Sequence, residues 1–179
     1  MAFAKIQSTK ELGGGAATTV KAYASDVTAN NLLLCTSSSS GPDSPASGVT
    51  DSQGNTWTQV GTAVTDGGGN AAQLFYAIAG STGANTVTVT YPGAAVGSTI
   101  TIHEYSGNAT ASVLDQNNTG TGSSTTPAAS SITPAANNYL VFSVEVDSAG
   151  DGTTITAGTN FTIQETALII STNQRIGTE

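Results

Sequence analysis

The run Asn85-Thr86-Val87-Thr88-Val89-Thr90-Tyr91 alternates polar and apolar side chains without a break. Successive side chains of a strand point to opposite faces, so Val87 and Val89 share one face and the threonines the other. β-Branched residues suit such a pleated, half-buried surface. The same grammar recurs along the chain. Serine and threonine fill 50 of the 179 positions, whereas charged residues make up only 9%. The polar faces of the strands must therefore be coated with short hydroxyls. No segment holds an i, i+3, i+4, i+7 apolar pattern for three turns, so almost no helix is expected. The predicted fold class is all-β: an antiparallel β-sandwich, jelly-roll-like, of about ten strands.

Those strands are expected near 3–9, 18–24, 31–37, 47–51, 56–62, 72–79, 85–91, 98–106, 139–147 and 160–171, the last as one strand or two. Turn-formers such as Gly67-Gly68-Gly69-Asn70 and Ser81-Thr82-Gly83 separate them, the spacing of a sandwich or jelly roll. The segments 37–47 and 115–131 are polar and read as long surface loops. Strands on both sides of each loop need one another to bury a face, so residues 1–179 are expected to form one domain. Apolar nuclei such as Leu32-Leu33-Leu34 and Leu140-Val141-Phe142 argue against disorder.

Net charge is −8, with four basic residues against twelve acidic ones. Nucleic-acid binding needs clustered cations, so it is not expected. No run approaches the length of a membrane span, so membrane insertion is not expected either. The single cysteine, Cys35, can form no intrachain disulfide and reads as a small buried hydrophobe. The opening residues Met1 to Gln7 lack an apolar leader core and read directly as a strand. Either the protein reaches the outside without a cleaved leader, as virion proteins do on lysis, or Met1 stands where a leader or domain would precede.

The densest motif is Val49-Thr50-Asp51-Ser52-Gln53-Gly54-Asn55-Thr56-Trp57-Thr58. Its simplest reading is a tight turn with Asp51 accepting turn amides. An alternative is a calcium site on Asp51 and Asn55, although Ca²⁺ wants six to eight hard oxygens and this loop offers few. Trp57, the sole tryptophan, either covers one end of the core or presents a flat face to a sugar. The five tyrosines all fall within expected strands, so most read as half-buried wall residues rather than ligand contacts. In Thr99-Ile100-Thr101-Ile102-His103-Glu104-Tyr105, alternation puts Ile100, Ile102 and Glu104 on one face, His103 and Tyr105 on the other. Glu104 is then either a rim carboxylate bonding loop amides or a ligand-binding carboxylate. A serine triad would have to use His103, and no nucleophile elbow is present. A glycosidase would need two carboxylates across a cleft. Enzyme activity is therefore not expected, and no catalytic residue is assigned. The sequons at Asn108, Asn117 and Asn160 are what an Asn- and Thr-rich chain produces by chance.

Four segments taken together resemble a broad, poorly characterised family of bacterial secreted and surface β-sandwich modules. They are Asn31-Leu32-Leu33-Leu34; Val49 through Trp57; Phe75-Tyr76-Ala77 with Gly83-Ala84-Asn85-Thr86-Val87-Thr88-Val89; and His103-Glu104-Tyr105-Ser106-Gly107 followed by Leu114-Asp115. Their collinearity covers about residues 3–161. The resemblance implies an adhesive, structural or carbohydrate-associated domain and carries over no catalytic residue. Members of that family usually follow a leader and continue past the point equivalent to Glu179, so this chain is expected to lack C-terminal strands.

The functional expectation is a non-enzymatic structural or adhesive module on a cell surface, extracellular fibre or virion. It would assemble with other copies or neighbouring sandwich domains and need no cofactor beyond a possible Ca²⁺. The alternative is a carbohydrate-binding module using Trp57 and loop polar residues, with a glycan as partner. Hydroxyl-rich strands also suggest edges without the usual charged guards against pairing.

Overall fold

The computed structural model describes residues 3–41, 44–65, 69–121, 131–135, 139–147, 157, 159, 162–169 and 174–178. Among them run β1 (Ala4–Gly13), β2 (Ala16–Ala22), β3 (Leu32–Ser40), β4 (Gly48–Asp51), β5 (Thr58–Gln59), β6 (Val64–Thr65), β7 (Asn70–Ile78), β8 (Thr86–Ala95), β9 (Gly97–Ser106), β10 (Val144–Asp147), β11 (Glu165–Ile169) and β12 (Gln174–Thr178). The fold is all-β and every strand pairing is antiparallel. The described residues contain no helix long and apolar enough to cross a membrane.

The large sheet has the order β1-β9-β3-β7-β5, with β6 also on β7, and the small sheet the order β2-β8-β4. Through β1, β2, β3 and β4, and again through β7, β8 and β9, the chain alternates between the two sheets. The first strand thus lies beside the ninth, and the third between the ninth and the seventh. This interleaving is that of a double-sheet jelly roll. The short strands β5 and β6 stay on β7, which leaves the small sheet with three strands.

Alternation decides which side chains meet between the sheets. Leu33, Cys35, Phe75, Ala77, Val87, Val89, Tyr91, Ile100 and Ile102 form one buried cluster with Val27 and Tyr23. Burial of each large aliphatic side chain stabilises by roughly 1.5–3 kcal/mol. Cys35 is fully buried as expected, and desolvation pushes its thiol above the ordinary range.

The other face of the large sheet is also covered. Leu32, Leu34 and Tyr105 form a second cluster packed by Leu74, Tyr76, Ile78, Val113, Leu140 and Phe142. The third sheet, ordered β10-β12-β11, belongs to the same cover. Ser8 Oγ donates to Glu165 Oε1 at 2.6 Å, and the Lys10 ammonium donates to the Thr166 carbonyl.

Two layers over one sheet explain why the serine run is not a loop. Every residue of Leu32–Ser40 is buried. The expected loop 37–47 instead begins with four strand residues, paired to β7 on one side and β9 on the other. Ladder bonds on both edges satisfy the backbone, and most of the hydroxyls find partners, Ser38 Oγ being the exception. Ser37 Oγ meets Tyr91 OH at 3.1 Å and Ser39 Oγ meets Ser44 Oγ at 2.9 Å. The chain is tight here too: a Cβ on Gly13 would lie 2.5 Å from Thr19 Oγ1 and 2.7 Å from Ser98 Oγ.

Two further expectations need correcting. Tyr23, Tyr91 and Tyr105 are buried rather than half-buried, and Tyr23 and Tyr139 lie outside strands. The edges do carry guards. Lys5 and Lys10 lie on edge strand β1, which has a bulge between Lys5 and Gln7, and Lys21 lies on edge strand β2. The opposite edge of the large sheet consists of two-residue strands. Lysines, bulges and short edges all oppose pairing with another chain. Composition counts four basic residues without locating them, and the fold sends three of them to the edges.

Candidate functional site

The Asp51 turn joins the end of β4 to Trp57. Gly54 takes φ +72, in the left-handed region that glycine adopts freely, and its amide donates to the Asp51 carbonyl at 3.2 Å. The Asp51 carboxylate then gathers five donors. Oδ1 accepts the amides of Gln53 at 3.1 Å and Asn55 at 3.0 Å. Oδ2 accepts Asn55 Nδ2 at 2.8 Å, Trp57 Nε1 at 3.0 Å and Asn85 Nδ2 at 3.1 Å. Burial alone would raise this carboxyl's pKa, but the bonds from Asn55, Asn85 and Trp57 outweigh it and hold the group below the ordinary value of 3.8.

Asp51 and Asn55 therefore come together as predicted, through a direct hydrogen bond. Asn55 Oδ1 is also engaged, accepting the Gly80 amide at 2.8 Å. A calcium ion at these oxygens would have to displace N–H donors from them. The described residues hold no group of three or more His, Cys, Asp or Glu side chains placed for a metal. Trp57 is half-buried and packs against the main core, with its indole N–H spent on Asp51.

Glu104 lies on the same face as Ile100 and Ile102, as alternation requires, and is fully buried. Its Oε1 accepts the Thr28 amide at 2.8 Å and Asn31 Nδ2 at 2.6 Å, and its Oε2 accepts Gln7 Nε2 at 2.7 Å. Gln7 in turn receives the Ser25 amide at 3.1 Å. One carboxylate thus ties β1, the 25–31 connection and β9 together at one end of the sandwich. It is a scaffold carboxylate, out of reach of a ligand in solvent. Its loop-amide role was legible in the sequence. Its partners Gln7 and Asn31 were not, because they lie 97 and 73 residues away in the chain.

His103 faces the outer layer, fully buried. Nε2 lies 2.9 Å from Thr101 Oγ1 and 3.4 Å from Thr178 Oγ1, while Nδ1 has no hydrogen-bond partner. Phe142 meets the ring edge-on, with centroids 5.0 Å apart. Burial, aided by the charge of Lys5, lowers the imidazole's pKa from 6.5 to about 3. At neutral pH the ring is uncharged.

The structure does not gather the four predicted site residues into one place open to solvent. Asp51, Asn55 and Trp57 share a turn; Glu104 is interior. Comparison with protein-family models, with curated proteins and with solved structures gave no match.

Proposed function

We propose that this chain is a non-enzymatic structural or adhesive β-sandwich module of a cell surface, extracellular fibre or virion, assembling with other copies or with neighbouring sandwich domains. The observation that carries this reading is the use of its polar groups. Asp51 and Glu104 are saturated by internal donors, and His103 is buried and neutral.

The guarded edges favour association through faces. On the outer face of the small sheet, Thr18, Thr90 and Gly48 stand side by side, as do Val20, Thr88 and Thr50. This patch carries no charge, and Val20 is 47% exposed. Light scattering across a concentration series tests the reading. Self-association weakened by Val20→Lys would support it. A monodisperse monomer at the highest concentrations would sink it.

A second reading, a carbohydrate-binding module, is favoured by an uncharged groove with an aromatic floor at Tyr76. A glycan array tests it, and silence across neutral and acidic glycans would remove it.

A further inference from the structure

The groove lies where three segments converge. Turn 54–56, residues 76–78 of β7 and residues 110–114 line it. Its volume is about 540 Å³, within the range of small-molecule sites. No charged side chain lines it. The hydroxyl-bearing residues Thr56, Thr110 and Ser112 are exposed on its walls.

The Asn55 side and Tyr76 are held before any ligand arrives. Asn55 is held at both ends of its amide, by Asp51 and by the Gly80 N–H. Tyr76 is half-buried against the Leu32, Leu34 and Tyr105 cluster, which restrains its ring. A Cβ on Gly54 would meet nothing within 4 Å, so the rim there is open. Ser112 adopts φ +52, a left-handed conformation unfavourable for a side chain other than glycine, asparagine or aspartate. Such backbone strain concentrates at ligand clamps. A prearranged site loses less entropy on binding.

We propose that this groove binds a short stretch of neutral glycan, with Tyr76 as the stacking floor and the hydroxyls of Thr56, Thr110 and Ser112 as polar contacts. This rests on the carbohydrate-binding reading given above. A sugar ring presents a C–H face suited to an aromatic ring and a rim of hydroxyls suited to these walls. A charged ligand would find no counter-charge. Asp51 and Trp57 act through the turn: they are positioning residues, and Trp57 is absent from the groove lining.

Chemical-shift titration of the ¹⁵N-labelled full chain tests this, with cellohexaose, xylohexaose, mannohexaose and chitohexaose as probes and hexagalacturonate as the acidic control. At least one neutral sugar should give saturable shifts centred on residues 54–56, 76–80 and 110–114. Ala111→Trp, at an exposed wall position, should fill the groove and weaken that binding at least tenfold with Tm unchanged. Thr56→Asp provides an independent block. Saturable shifts centred elsewhere, or binding undiminished in both variants, would overturn the groove and leave the carbohydrate-binding reading standing. Tighter binding of hexagalacturonate would overturn the neutral ligand class. No saturable shift with any sugar would overturn the groove and that reading together.

Discussion

His103 makes stability depend on pH between its ordinary pKa and its buried one. Its imidazole is buried beside Phe142 and falls from an ordinary pKa of 6.5 to about 3 in the folded protein. In that interval the unfolded chain binds a proton that the folded chain refuses. Stability therefore rises with pH across it and is lost as pH falls from about 6.5 towards 3. Each pH unit well inside the window carries about 1.4 kcal/mol. Between pH 7 and pH 4 the loss from this one group should be about 3 kcal/mol, a large part of a typical 5–15 kcal/mol. Urea unfolding at pH 7, 5.5 and 4, followed by Trp57 fluorescence, measures it. His103→Leu removes the titration and costs the Thr101 and Thr178 contacts at every pH, so it should be less pH-sensitive than the parent over that range. Parallel pH profiles for the two proteins would refute the burial argument.

Other outcomes follow from the same geometry. Glu104→Ala removes the acceptor of three part-buried hydrogen bonds and should cost about 2–4 kcal/mol, while Glu104→Gln, which keeps the shape and mismatches one donor, should cost about 1–3 kcal/mol; urea midpoints decide. A cost below about 1 kcal/mol for the alanine variant would show that water replaces the carboxylate. Asp51→Ala should release Trp57 Nε1, shift its emission to the red and destabilise the turn by about 2–4 kcal/mol. Because the folded carboxyl of Asp51 lies below 3.8, its stabilisation is present above that pH and is lost as pH falls through the folded value. Adding calcium to the parent should leave Tm unchanged, since N–H donors already fill the Asp51 oxygens. Replacing Lys5, Lys10 and Lys21 by serine removes edge guards and should increase aggregation in light scattering, with little change in Tm because exposed ion pairs contribute only about 0–1 kcal/mol.

Ten of the strands were legible because alternation is local. Val87 and Val89, or Ile100 and Ile102, declare their shared face within five residues. The strands that escaped are β6, two residues long, and β12, whose Gln-Arg-Ile-Gly-Thr holds a single apolar residue and so shows no alternation. Boundaries failed where composition misled. Ser37, Ser38, Ser39 and Ser40 look like a loop in isolation, yet they are the inner end of a central strand. Of the site, Asp51 as acceptor of turn amides was legible because Gly54 and Asn55 lie within four residues. Asn85 was not, since it reaches Asp51 from 34 residues away.

By itself the sequence determined the class of fold, which side chains of a strand share a face, and a polar complement built from hydroxyls. Those depend on the period of a strand and on side-chain type, both local properties. Only the tertiary structure decided that the large sheet would be covered on both faces. Covering both faces turns serines into core residues and His103 into a neutral buried ring. The same assembly saturates Glu104 with Gln7, Thr28 and Asn31. Burial and hydrogen-bond satisfaction are set by which distant strands become neighbours, and alternation alone carries no record of that.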